Sequence, residues 1–457
     1  MLDGCLAQAM APKTFTVDQV ISNYVFVFYA AFGVTFIFTP VMRATALYYH
    51  IIDQPDRVRK MHDTPVAYLG GVAVFLGWLA GLTIGQYCKL HNVEPGWPTA
   101  HPMVRFSIVI GAVLIVVLGL WDDILGIKPW VKIGGQVFAA LCLLSDGIGL
   151  TLTASILTPL SSYVTSTLHL APYAVPEWMI VSTSCALVVA VIVGCCNATN
   201  LMDGLDGLCG GVTAIISAGF LFVAVHLAMN GGGVETNWDA LRVILGLALL
   251  GAVLGFVPFN FNPASIFMGD TGSMFLGFVC GTMIVLMGQE RAKWFLAATV
   301  MFALPILDTA LAFTRRWINH RPLFSADKQH FHHQLVARGF SVKQTVLISY
   351  LLAVFFGLLG MIIVFMRTRY AVAFYMVIFG SIIVAAYKMG MIHERNGSEP
   401  PATLGNAETE DDNIARIGSA TQVMEFPETR TVVNQTRQSA DATYSELDLD
   451  GTTPIVQ

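Results

Sequence analysis

Residues 208–229 read LCGGVTAIISAGFLFVAVHLAM, without an Asp, Glu, Lys or Arg. A helix crossing the hydrocarbon core of a bilayer needs roughly 20 mostly apolar residues, because only its own hydrogen bonds can satisfy the backbone there. Comparable runs lie near 21–42, 70–87, 105–121, 132–150, 178–196, 241–259, 272–289, 295–313, 344–366 and 370–389. The run 132–150 is the weakest, diluted by Ser145, Asp146 and its glycines. Together the runs predict an all-α, polytopic membrane protein with about eleven transmembrane helices. Composition agrees, since 12% of the 457 residues are charged, against roughly 25% in a soluble domain.

Charge is unevenly placed. Residues 391–457 hold twelve acids and four arginines and few large apolar groups, so they cannot bury enough surface to offset ordering entropy. The expected organisation is therefore a short segment 1–20 outside the membrane, a transmembrane domain 21–390, and an acidic, disordered tail 391–457. The first apolar run lacks a basic flank or a small-residue cleavage site, which favours a retained helix over a signal peptide. Lys and Arg bias sets orientation. Counted as far as Arg395, the segments after the first, third, ninth and eleventh runs hold fourteen, and the opposite side holds eight. The N-terminus is therefore expected outside and the C-terminus in the cytoplasm. Arg291 with Lys293 and Arg367 with Arg369 are local exceptions, and the connection 151–177 has no Lys or Arg. None of the eight cysteines shows CxxC or zinc-ligand spacing, so they read as small buried hydrophobes.

Under this topology the unusual polar residues collect at helix ends on the cytoplasmic side. Asp122 and Asp123 end the third run in GLWDDILGIKPW. Asn197, Asn200, Asp203 and Asp206 follow the fifth in CCNATNLMDGLDGL, and Asp270 precedes the eighth in FNFNPASIFMGDTGS. His330, His332 and His333 follow the ninth in RPLFSADKQHFHHQL. Five carboxylates in three short loops repel one another unless a cation offsets them. Hard oxygen ligands of this kind suit Mg²⁺ or Mn²⁺, held by one or two carboxylates together with substrate phosphates. Glycines at 204, 207, 269 and 272 permit tight turns and close approach of phosphate to the backbone. Arg57, Arg59, Lys60, Lys132, Arg315 and Arg316 lie on the same side, where they could hold diphosphate oxygens. Lys132 comes nine residues after Asp123 and could fold back over the carboxylates. No cysteine or acid completes a closed zinc site with the histidines, so they read as substrate-binding imidazoles. A divalent ion, acids and basic clamps on a membrane scaffold suggest phosphoryl transfer between a lipid and a soluble donor.

The chain resembles the bacterial polyprenyl-phosphate N-acetylhexosamine-1-phosphate transferases, in particular those that join UDP-N-acetylglucosamine to undecaprenyl phosphate. The resemblance rests on Asp53-x-Pro55 with Arg59-Lys60-x-His62-x-x-Pro65 and Gly70-Gly71, and on Asp122-Asp123 with Lys132-x-x-x-Gln136. It continues through Asn197-x-x-Asn200-x-x-Asp203-Gly204-x-Asp206-Gly207, then Met268-Gly269-Asp270-Thr271-Gly272-Ser273. Asp308, Arg315-Arg316 and Pro322-x-Phe324-x-x-Asp327-x-x-His330-x-His332-His333 complete it. The resemblance implies ten or eleven spans, a cytoplasmic site in the bacterial inner membrane, and attack of the lipid phosphate on the sugar-bound phosphate with release of UMP. Asp122 or Asp123 would then engage the lipid phosphate, and Asp270 with Asn200 would ligate Mg²⁺. Asp203 and Asp206 would hold the nucleotide side, with Phe267 stacked on uracil. Asn197, Arg315 and the three histidines would line the substrate pocket, with Lys132 near the phosphates. Which aspartate is the base stays open, as does a covalent aspartyl-phosphate route. Where many relatives have an arginine before Gly-Gly, this chain has Tyr68-Leu69.

The partners expected are these two substrates and the bilayer, with a homodimer left open and no nucleic acid. Two readings compete: the same chemistry with a muramoyl-pentapeptide or another UDP-N-acetylhexosamine donor, and a secondary transporter. A transporter needs charges near the midplane of its helices, for which Asp146 and Asp308 are the candidates.

Overall fold

The computed structural model describes residues 16–22, 24–53, 66–91, 104–169, 174–230, 238–318 and 330–388. In chain order the elements are α1 (Val17–Ile21), α2 (Val25–Tyr48), β1 (Ile52–Asp53), β2 (Val66–Ala67), α3 (Gly70–His91), α4 (Phe106–Leu125) and α5 (Pro129–Ser145). There follow α6 (Ala154–Thr167), α7 (Glu177–Met202), α8 (Leu208–Met229), α9 (Trp238–Asn260), α10 (Gly269–Gly288) and α11 (Ala292–Met301). The last are α12 (Ala303–Ile318), α13 (Phe331–Ala337), α14 (Val342–Phe365) and α15 (Thr368–Lys388). The described residues all belong to one compact unit. The expected disorder of the acidic tail, and most of segment 1–20, fall outside the described residues.

Among the described residues, eight helices are long and apolar enough to cross a membrane, or nine if α11 and α12 form one broken span. The short helix α5 is also apolar, and α15 coincides with the eleventh run. The all-α, polytopic reading therefore holds, with eight or nine clear spans among the described residues. The structure makes three corrections. The connection 151–177 contains α6, which the absence of charge did not reveal. The ninth run is bent by 75° between α11 and α12. Pro305 lies in the first turn of α12, where its ring lacks an N–H for the carbonyl one turn earlier, which favours a bend there. The third is a small hairpin, with β1 antiparallel to β2 in the register Ile52↔Ala67 and Asp53↔Val66. A bridge from Ala67 to Ile266 joins it to the segment before α10.

Helix α10 is the centre of the bundle: every residue from Thr271 to Gly288 is buried. It packs on α3, α4, α7, α9 and α11. The outer helices instead expose large apolar side chains, such as Phe26, Tyr29 and Ile37 on α2 and Leu347, Leu351 and Leu358 on α14. Surfaces of that size face lipid in a protein that spans a membrane. Because lipid is as apolar as leucine, helix association depends on close packing, which small residues permit. A Cβ at Gly71 of α3 would collide with the backbone of Gly272, and one at Gly119 of α4 with the backbone of Thr271. These two glycines let α3 and α4 close on the first turn of α10.

Gly119→Ala is accordingly expected to destabilise the protein by about 1–3 kcal/mol, the ordinary cost of overpacking. Gly194→Ala, on an exposed stretch of α7 with nothing within 4 Å of the added Cβ, should be neutral or slightly stabilising. Thermal unfolding of both variants in the same detergent checks the contrast.

Candidate active site

The first turn of α10 gathers the site. Met268-Gly269 leads into it with Gly269 at φ +70°, a left-handed conformation that favours glycine. A Cβ at this position would also stand 2.6 Å from Asp123 Oδ2. The space is taken because the Asp123 carboxylate caps the helix. It accepts the Asp270 N–H at 2.8 Å, the Thr271 N–H at 3.0 Å and the Thr271 hydroxyl at 2.6 Å. Helix N-termini leave N–H groups without partners and favour negative charge, so an aspartate from α4 answers both needs. Asp123 is thereby committed to holding α10 in place.

Its neighbour Asp122 takes the other direction. One oxygen accepts the Ile127 N–H at 2.8 Å, which tightens the turn between α4 and α5, and the other pairs with Lys132. The Lys132 ammonium also reaches Asp270 Oδ2 at 2.5 Å. The other Asp270 oxygen accepts the Asn200 side-chain amide at 2.8 Å, and that amide also donates to the Ser273 hydroxyl at 3.0 Å. Thus α4, α5, α7 and α10 meet on a single carboxylate, that of Asp270. The fold-back of Lys132 occurs because Pro129 starts α5 immediately after the turn, with the lysine within its first four residues.

One turn deeper, Asn197 donates to Gln136 Oε1 at 2.7 Å and to the Val193 carbonyl at 2.8 Å. Gln136 is fully buried and donates to the Met274 sulfur at 3.4 Å. Asn197 therefore ties α7 to α5 through its described contacts.

The turn after α7 carries Asp203 and Asp206. Asp203 is partly buried. Desolvation, then the charges of Asp270, Asp123 and Asp206, push its carboxyl up to about 8. Asp206 accepts the Asn262 side-chain amide at 2.9 Å and the Ala264 N–H at 3.0 Å, and so braces the loop before α10. Gly207, at φ +78°, donates to Asn260 Oδ1 at 3.1 Å, and its carbonyl accepts the Tyr350 hydroxyl at 2.6 Å. Tyr350 lies in an apolar run of α14, and no local signal separated it from a lipid-facing residue. Asn260 and Asn262 were legible as polar groups in an apolar flank, yet nothing in the sequence placed them under Asp206.

Phe267 precedes the turn, half-buried, with its ring centroid 6.1 Å from that of Tyr68 and its N–H donated to Ala67. At the end of α12, Arg315 and Arg316 are both buried. The histidines form one cluster, with ring centroids 5.6 Å apart for His330 and His332 and 4.3 Å for His332 and His333. His332 abuts the turn after α7: its Nε2 would lie 2.5 Å from a Cβ at Gly204. Asp308 of α12 faces the Nδ1 atoms of His330 and His332 at 3.4 and 3.5 Å. Arg57, Arg59, Lys60 and Asp327 lie outside the described residues. Among those described, no group of three or more His, Cys, Asp or Glu side chains is arranged to hold a metal by itself.

The two charges on which the transport reading rests each have partners within the protein. Asp146, at the end of α5, pairs with Arg105 at 3.1 Å and accepts from Ser107 at 2.9 Å. Asp308 belongs to the histidine cluster.

The pattern of glycosyl transferase family 4 matches residues 105–288, from the start of α4 to the end of α10. A probable undecaprenyl-phosphate N-acetylglucosaminyl 1-phosphate transferase of Bacillus subtilis is 32% identical over 349 residues, 76% of this chain and 86% of that protein. A decaprenyl-phosphate N-acetylglucosaminephosphotransferase of Mycobacterium tuberculosis is 32% identical over 309 residues, covering 65% of this chain and 71% of that protein. A phospho-N-acetylmuramoyl-pentapeptide-transferase of Oceanobacillus iheyensis is 28% identical over 315 residues, 64% of this chain and 92% of its own. The convergence of α4, α5, α7 and α10 on Asp270 thus falls inside the matched region, and the chain belongs to glycosyl transferase family 4, the polyprenyl-phosphate N-acetylglucosamine-1-phosphate transferases, as a multi-pass membrane enzyme that transfers a glycosyl 1-phosphate.

Proposed function

We propose that the protein transfers N-acetylglucosamine 1-phosphate from UDP-N-acetylglucosamine to undecaprenyl phosphate, giving undecaprenyl-diphospho-N-acetylglucosamine and UMP. The observation that carries this reading is the Lys132 ammonium bridging Asp122 and Asp270 at the N-terminus of the buried helix α10. A cationic side chain beside two partly buried carboxylates, which a divalent ion can join to substrate, forms a place where phosphates can be held. The choice of undecaprenyl phosphate follows the Bacillus subtilis relative, which is matched over a longer stretch than the decaprenyl-specific one.

In the reaction, an oxygen of the lipid phosphate forms a bond to the sugar-bound phosphorus of the donor. The bond from that phosphorus to the bridging oxygen breaks, and UMP leaves with the electron pair. Asp122 would receive the lipid phosphate, through its proton if the monoanion binds. Lys132 offsets the charge of Asp122 and Asp270 and offers N–H donors to diphosphate oxygens. Asp203, Asp206 and Asn197 would define the nucleotide side, with Phe267 against uracil, Arg315 near the diphosphate and the histidines lining the donor pocket. Asp270 with Asn200 fits Mg²⁺, or Mn²⁺, because one or two carboxylates plus substrate phosphates is the usual arrangement for such an ion. When bound, the ion would neutralise charge on the transferred phosphoryl group. The same reading gives eleven spans, counting α5, α15 and the bent pair α11–α12, in a transmembrane domain 21–390. It turns the Asp270 end of the bundle and the acidic tail to the cytoplasm of the inner membrane, with the N-terminus outside.

Purified full-length protein given undecaprenyl phosphate, Mg²⁺ and UDP-N-acetylglucosamine should release UMP in a lipid-dependent manner. EDTA or Asp270→Ala should lower that rate by at least about a hundredfold, the scale of removing a charge-stabilising group. UMP release only from UDP-N-acetylgalactosamine or the muramoyl-pentapeptide donor would reassign the substrate.

The Asp203 carboxyl, pushed up to about 8, holds its proton at neutral pH while no cation is near. A cation favours the ionised form, so Mg²⁺ added to lightly buffered protein at pH 7 should release up to about one proton per chain. The release should fade as pH rises above about 8, where the group is already ionised, and Asp203→Asn should abolish it.

A further inference from the structure

Asp308 is a carboxylate in the apolar helix α12 that the proposed reaction does not touch. It is 4% exposed, and so are the groups around it: His330 at 4% and His332 at 2%. One of its oxygens accepts the Phe331 N–H at 2.7 Å and so tethers the start of α13. The other stands between two imidazoles, at 3.4 Å from His330 Nδ1 and 3.5 Å from His332 Nδ1. The two rings are nearly parallel, with 7° between their planes. On the far edge of its ring, His332 Nε2 is buried and makes no hydrogen bond within the protein. It faces the Asp203–Gly204 turn, where a Cβ on Gly204 would come within 2.5 Å. A buried polar atom without a partner is costly, and here it is aimed at the turn assigned to the nucleotide side.

We propose that Asp308 is a positioning residue that acts through His332. Its carboxylate takes the His332 Nδ1 hydrogen, so that His332 presents Nε2, free of hydrogen, to the UDP-sugar at the Asp203–Gly204 turn, while His330 Nδ1 stands beside the same carboxylate without a hydrogen bond in the protein. The hydrogen bond made by one ring nitrogen decides what the other can do, as outer carboxylates do for histidines at metal sites. An Nε2 of this kind accepts a hydrogen bond, and the donor's ribose and N-acetylglucosamine hydroxyls are the groups that can supply one. The lipid phosphate makes no demand on this edge of the ring. The assignment of Nε2 to the UDP-sugar rests on the transferase reading, whereas the Asp308–imidazole arrangement does not.

The test uses full-length protein in nanodiscs with Asp308→Asn and Asp308→Glu. The asparagine keeps an oxygen for the Phe331 N–H and a similar volume, but loses the charge and turns an N–H₂ toward the rings. The expected result is a KM for UDP-N-acetylglucosamine raised about 10- to 100-fold, an unchanged KM for undecaprenyl phosphate, and an unchanged unfolding temperature. Asp308→Glu should recover part of the loss. ¹⁵N-histidine spectra at about pH 8.5, above the ordinary imidazole range, with His332 assigned by His332→Gln, should show Nε2 without hydrogen in the parent protein. In Asp308→Asn that hydrogen should move to Nε2. Ring tautomers unchanged in Asp308→Asn would overturn the proposal. A parallel rise in both KM values with a lowered unfolding temperature would also overturn it, because Asp308 would then only support the fold. If the parent protein releases no UMP, the transferase reading fails, and the ¹⁵N comparison alone decides the role of Asp308.

Discussion

The structure depends on satisfying the two ends of one buried helix. Helix α10 has no lipid-facing side, so its terminal N–H and C=O groups cannot turn to water as those of an outer helix do. At the N-terminus the Asp123 carboxylate takes the N–H groups of Asp270 and Thr271. Near the C-terminus the fully buried Arg242 of α9 donates to the Leu286 carbonyl at 3.0 Å and pairs with Asp239 and Glu290 at 2.7 and 2.6 Å. An anion at one end and a cation at the other match the helix dipole. Each buried charge is tolerable because it is paired and hydrogen-bonded.

The site follows from that constraint. Once Asp123 is used to cap α10, its neighbour Asp122 is directed to the side, where Lys132 meets it. Two adjacent aspartates in one helical turn thus have different neighbours and divide the work: one anchors the helix and one faces the cation. The same first turn of α10 exposes Asp270 to Lys132 and Asn200. Helices α3 and α4 can approach the first turn of α10 so closely only because Gly71, Gly119 and Gly269 leave room for backbone and carboxylate.

The histidine cluster is built by a different device. The bend between α11 and α12 re-aims the second half of the ninth apolar run, which carries Asp308 to the start of α13. A carboxylate that reads along the chain as a charge inside a membrane helix becomes, in space, the partner of two imidazoles. The turn after α7 lies against His332, held by the bonds from Asn262 and Ala264 of the loop before α10 to Asp206 and by Tyr350 from α14. Elements from both halves of the chain thus converge on the segment 203–207.

The amino-acid sequence by itself determined the helices, because apolar runs near the thickness of a bilayer leave the backbone no other structure. It also determined which residues could do chemistry, since Asp, Asn, Lys and His at helix ends stand out against an apolar background. The order of the motifs was enough to point to the family. The sequence did not reveal α6, whose residues are neither charged nor strongly apolar, nor the angle at Pro305. It could not separate Asp122 from Asp123, or show that Asp206 braces a loop and that Asn197 joins two helices. Those distinctions depend on which partner each carboxylate or amide meets, from 5 to about 150 positions away along the chain, and only the meeting of α4, α5 and α7 at the N-terminus of α10 decides that. Residue type sets what a group can donate or accept, and tertiary structure sets what is there to receive it.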